Sequence, residues 1–124
     1  MNVSSKPPHW TPSEMRLLLA FFASMLWQDG SLHPDDRTAL YTMAHELGFG
    51  TDDPQTEWLA QLPPLPDEID PQSVPPRLAG TVLALATLAA GVRPSLARYE
   101  ALELLEQLLA PESPAPLMLD LLAA

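Results

Sequence analysis

The stretch Asp29-Gly30-Ser31-Leu32-His33-Pro34-Asp35-Asp36 constrains this chain more than any other. A strongly apolar helical run stops there and another starts within a few residues, so the backbone must turn sharply at an elbow. Gly30 is placed to end the first helix in a left-handed conformation, Leu32 to anchor the turn in the core, and Pro34 to occupy the first turn of the next helix. Three carboxylates, Asp29, Asp35 and Asp36, stand around this structural elbow.

The flanking sequence predicts an all-α fold. Thr11-Pro12-Ser13-Glu14 reads as a capping box with proline at the first helical position, and Trp10 and Met15 are spaced as a hydrophobic staple. The helix that follows runs to about Asp29, with Met15, Leu18, Leu19, Phe22, Met25 and Leu26 on one stripe and Leu17 and Phe21 on a second side. A second helix starts at Pro34 and stops before Gly48. Asp53-Pro54 opens a short third one that carries Trp58, Leu59 and Leu62, the tryptophans being expected in the core.

Residues 63–76 form an acidic, proline-rich connection expected to hold a single turn at most. A fourth helix is expected from about Pro75 to Ala90, stopped by Gly91, and a fifth opens at Pro94 and closes at Pro111. Ser113-Pro114 would start a short sixth. The expected organisation is therefore one domain, 1–124, of about six helices with an N-terminal arm over 1–10. Helix, Gly30, Leu32, Pro34, helix has an echo in helix, Gly91, Val92, Pro94, helix about 60 residues later. The echo suggests two pseudo-repeated hairpins packed face to face.

Composition excludes several function classes. There is no cysteine, which removes disulfides, thiolate metal sites and cysteine nucleophiles. The net charge is −10, and its placement matters. Asp29, Asp35, Asp36, Glu46, Asp52, Asp53, Glu57, Asp67, Glu68 and Asp70 face one base, Arg37, in the same interval. Such a surface repels nucleic acid and anionic lipid and attracts cations or basic partners. The longest uncharged apolar run, Leu78 to Val92, would rise only about 22 Å as a helix, too short for a bilayer and suited to a buried central position. With no legible signal peptide, the expected location is cytoplasmic.

The elbow acids are the best candidates for chemistry. Hard divalent cations such as Ca²⁺ or Mg²⁺ take several oxygen ligands, which carboxylates and elbow carbonyls could supply, although the spacing is not that of an EF-hand. Asp35 and Asp36 also suit the first turn of a helix on electrostatic grounds. Asp29, at a helix C-terminus, is opposed by the dipole and calls for a counter-cation or a local hydrogen bond. His45-Glu46 lacks the second histidine of a zinc protease, because position 49 is Phe49. No Ser-His-Asp arrangement, phosphate loop or dinucleotide fingerprint is legible.

Asp29, Gly30, Leu32, Asp36, Leu47 and Gly48 together resemble the first half of TerB-like domains, the helical tellurite-resistance family also related to the N-terminal region of the DjlA co-chaperone. The resemblance implies an all-helical fold that repeats the hairpin, a divalent cation held by Asp29 and Asp36, and a stress-linked accessory role without catalysis. It covers about 30 residues well. Over Pro75 to Leu109 it is topological only, because Ala90-Gly91 replaces Asp-Gly and Leu96 and Ala97 stand where an acid is expected.

These observations lead to a non-enzymatic accessory or scaffolding domain. In one form Asp29, Asp36 and Asp35 hold a divalent ion that orders the elbow. In the other the chain is a helical protein-interaction module with no metal, docking an unidentified protein partner or, as a homodimer, a second copy. An enzyme would need a buried carboxylate with a raised pKa lining a pocket.

Overall fold

The computed structural model describes residues 10–50 and 52–109. These form five α-helices joined by short 3₁₀ turns, with no strand among the described residues. Helix α1 spans Pro12–Leu26, α2 Pro34–Leu47, α3 Pro54–Gln61, α4 Ala79–Val92 and α5 Leu96–Leu109. The sixth helix expected after Ser113 lies outside the described residues.

The N-terminal signal of α1 works as its residues dictate. Glu14 N–H donates to Thr11 Oγ1 at 3.1 Å, and Thr11 N–H donates to Glu14 Oε1 at 2.9 Å, so two orphan donors are satisfied reciprocally. The α-helix ends at Leu26 and a 3₁₀ turn, Trp27–Asp29, carries the chain to Gly30, whose φ is +89°. Leu32 is half-buried and packs against the core rather than being enclosed by it. Gly48 closes α2 in the same left-handed manner, with φ +107°.

Helix α4 is the centre of the domain. Val82, Leu83, Ala84, Leu85, Ala86, Ala89 and Ala90 are all buried, as an apolar run without a polar face requires. Its most extensive partner is α1, with α5 next and α2 also against it. The alanines let these backbones approach, and Leu18, Leu19 and Phe22 of α1 fill the space between. Arg77 pairs with Glu14, tying the approach to α4 to the first turn of α1.

Three expectations are corrected. Helix α4 runs through Gly91 to Val92 and stops at Arg93 (φ −142°, ψ 86°). Pro94 ends it, because the ring of a proline drives the preceding residue out of the α region. The connection over 63–76 holds two 3₁₀ turns, Pro66–Ile69 and Pro71–Ser73, and a third, Pro76–Leu78, leads into α4. Each begins on a proline with preset φ, and carboxylates supply caps: Leu65 N–H donates to Glu68 and Gln72 N–H to Asp70. Trp58 lies on the outside of α3 at 62% exposure, whereas Trp10 and Trp27 are half-buried.

Candidate functional site

Two of the three elbow acids, Asp29 and Asp36, converge, and what they converge on is a guanidinium. Asp36 stands in the first turn of α2, and its side chain is inaccessible to solvent. Its Oδ2 accepts from the His33 backbone N–H at 3.0 Å, closing the turn before α2, and from Arg93 Nη1 at 3.0 Å. Its Oδ1 accepts from Arg98 Nη2 at 3.0 Å. Arg98 is also fully buried, which for an arginine requires pairing on nearly every face.

The other partners of Arg98 come from two helix ends. Nη2 donates to the Leu26 carbonyl at 2.8 Å and Nη1 to the Ala89 carbonyl at 3.3 Å. Both carbonyls lie in the last turn of their α-helices, α1 and α4, where the dipole is negative. Asp29 Oδ2 stands 3.3 Å from Nε, an ion pair without hydrogen-bond geometry. Asp29 Oδ1 accepts from Ser95 Oγ at 2.9 Å, and the same Ser95 oxygen accepts from Arg98 N–H at 3.1 Å, starting α5. The counter-cation that Asp29 calls for at a helix C-terminus is thus Arg98.

Burial alone would push the Asp36 carboxyl up. The His33 N–H, the Arg98 and Arg93 hydrogen bonds and the Arg98 charge outweigh that and hold it below the usual carboxylate range. The direction is opposite to the one acid catalysis needs.

This donor set does not fit a divalent ion on Asp29, Asp35 and Asp36. Both oxygens of Asp36 are taken by guanidinium and backbone donors, and a metal beside Arg98 would face a second positive charge at contact distance. Asp35 is solvent-exposed while Asp36 is enclosed. Among the described residues no group of three or more His, Asp or Glu side chains is placed to hold a metal. Gly30, Leu32 and Pro34 occupy the elbow as expected, with the exception of the shallower burial of Leu32.

Arg93, Ser95 and Arg98 were not among the sequence candidates. Arg93 and Arg98 bracket the Pro94-Ser95 approach to α5, and no short-range pattern in the sequence ties them to Asp29 or Asp36.

A second feature lies on the far side of α5. An open groove of about 420 Å³ runs between α1 and α5, lined by Phe21, Met25, Ile69, Ala101, Leu104 and Leu108 among others. Leu104 and Leu108 are 56% and 57% exposed. Glu100 lines the same groove, and Glu103 and Glu106 are exposed on the same helix.

No protein-family model matches the chain, and no match was found among curated proteins or among solved structures. No helix of the described residues is long and apolar enough to cross a membrane.

Proposed function

We propose that this chain is a non-enzymatic helical interaction module that works without a metal, the groove between α1 and α5 receiving an amphipathic helix of a protein partner. The observation that carries this reading is the pair Leu104 and Leu108. One turn apart on α5, they present apolar side chains to solvent over a groove floored by Phe21 and Met25. Apolar residues at i and i+4 beside a groove are the arrangement into which a partner helix lays its own apolar stripe.

Charge selects the class of partner. Glu100 lines the groove beside the leucines, and the chain carries a net charge of −10. A helix with Lys or Arg beside its apolar stripe complements this rim, whereas a second copy of the chain meets like charge. The resemblance to TerB-like domains would give such a module a stress-linked accessory role, tellurite resistance included. Against an enzyme stands the commitment of Asp29 and Asp36 to arginines.

A photo-crosslinking residue placed at position 104 tests the reading in cells, with position 38 on exposed α2 as control. The expected adduct forms from position 104 alone and maps to a basic amphipathic segment of a partner, and Leu108→Glu abolishes it. Equal adducts from both positions, or adducts that map to acidic or extended segments, would overturn the proposal.

A further inference from the structure

The Arg98 guanidinium is held by four oxygens, with the Arg93 guanidinium sharing the Asp36 carboxylate beside it. Two are helix-terminal carbonyls, of Leu26 and Ala89, and two belong to carboxylates, of Asp29 and Asp36. Four elements contribute to the enclosure: the ends of α1 and α4, the 3₁₀ turn after α1, and the start of α2. The Arg98 side chain inside is fully buried, and its Nε has no hydrogen-bond partner although Asp29 Oδ2 is 3.3 Å away. The match between occupant and cage is therefore electrostatic first and directional only in part.

We propose that this enclosure is a cation-binding site which the chain fills with its own side chain, and that shortening Arg98 turns it into a site for a free cation of the guanidinium class. The inference does not rest on the groove or on any partner. Without the guanidinium, the buried Asp36 Oδ1 and the Leu26 and Ala89 carbonyls lose their side-chain donor, and the partly exposed Asp29 loses its ion pair. Asp36 keeps only Arg93 and the His33 N–H, on its other oxygen. Losing one partner of a buried charge pair is strongly destabilising. Any cation that enters and binds only the folded state then restores stability by mass action. An alkylguanidinium suits the vacancy best, because its planar donors reproduce those of Arg98. A hard divalent cation is the second chemistry that an oxygen cage admits.

Thermal unfolding of the full chain, followed by circular dichroism, tests this with two probes, ethylguanidinium and Ca²⁺, each at up to about 20 mM, far below denaturing levels. The parent should show no saturable shift with either. Arg98→Ala should melt at least about 10 °C lower, as loss of one partner of a buried pair implies for a domain of this size. Ethylguanidinium should then raise its melting temperature saturably, and Arg98→Ala combined with Asp36→Asn should lose that response. If Arg98→Ala is unfolded without additive, return of the helical signal on adding ethylguanidinium supports the proposal and its failure to return counts against it. A variant that responds no more than the parent overturns the proposal. So does a saturable Ca²⁺ shift in the parent that Asp29→Asn removes, since the cage would then already be open to metal.

Discussion

Arg98 and Asp36 lie 62 residues apart in the chain and meet at 3.0 Å with both side chains fully buried. One stands in the first turn of the last described helix and the other in the first turn of the second, so the pair ties the start of α5 to the start of α2. Buried ion pairs add little over an apolar replacement of equal shape, yet breaking one by removing a single partner leaves a charge without compensation. Asp36→Ala should therefore cost about 3–5 kcal/mol in chemical denaturation. Arg93→Ala, which removes a partner that is partly exposed, should cost nearer 1 kcal/mol. Equal losses from the two would place the stabilising contact at the surface.

The depressed pKa of Asp36 gives this junction a pH signature. In the unfolded chain an aspartate titrates near 3.9, and in the folded protein Asp36 titrates lower. Its contribution to stability is present above the unfolded value and lost as pH falls through the folded one. The difference in unfolding free energy between the parent and Asp36→Asn should stay constant from about pH 8 to pH 5 and shrink below about pH 4. A difference that instead grew on acidification would mean that the group is protonated in the native state.

Gly30 sits at φ +89° with open space where a Cβ would project, so a substitution there is penalised by backbone conformation alone. Gly30→Val should destabilise by about 1–2 kcal/mol, and Gly30→Asn by clearly less, because asparagine visits the left-handed region readily. Thermal melts of the two variants separate conformation from packing: similar losses would point to a steric cause.

The helical class, the buried centre and the elbow could be read from residues because each rests on a local signal. The Thr11 capping box, Gly30 and the apolar run in α4 specify their own surroundings within a few positions. Trp58 was misplaced because a period of 3.6 identifies a stripe but not which neighbour covers it. Leu59 beside it is the buried one, and its carbonyl receives the Trp27 indole N–H at 2.9 Å. The acids of the candidate site were legible as unusual, Asp29 above all. Their partner was not, since it enters from α5, 62 residues beyond Asp36 in sequence, and short-range pattern carries no information about such a meeting.

The two tryptophan-side neighbours offer a direct check of that reading. Leu59 is 1% exposed and Trp58 62%. Leu59→Ala should cost about 2–5 kcal/mol through lost burial and the cavity left behind, and Trp58→Ser should stay within about 0.5 kcal/mol. Urea unfolding curves for the pair decide it, and a large loss at Trp58 would mean that α3 is rotated from the orientation described.

The groove allows binding and stability to be separated on one helix. Leu105 is 9% exposed and belongs to the core, while Leu104 next to it and Leu108 one turn on face solvent. Replacing exposed apolar side chains by charged ones removes no core contact, so Leu104→Glu with Leu108→Glu should leave the melting temperature within about 2 °C of the parent. Leu105→Ala should lower it by several degrees, because its side chain packs in the core with α1 and α4. Should the double glutamate variant melt as low as Leu105→Ala, the two leucines are held inside the folded protein and the groove is not an open surface. Retained stability of the double variant, together with a crosslink from position 104 that Leu108→Glu abolishes, would assign the leucines to recognition alone, since fold and partner binding would then have been moved independently by residues on the same helix.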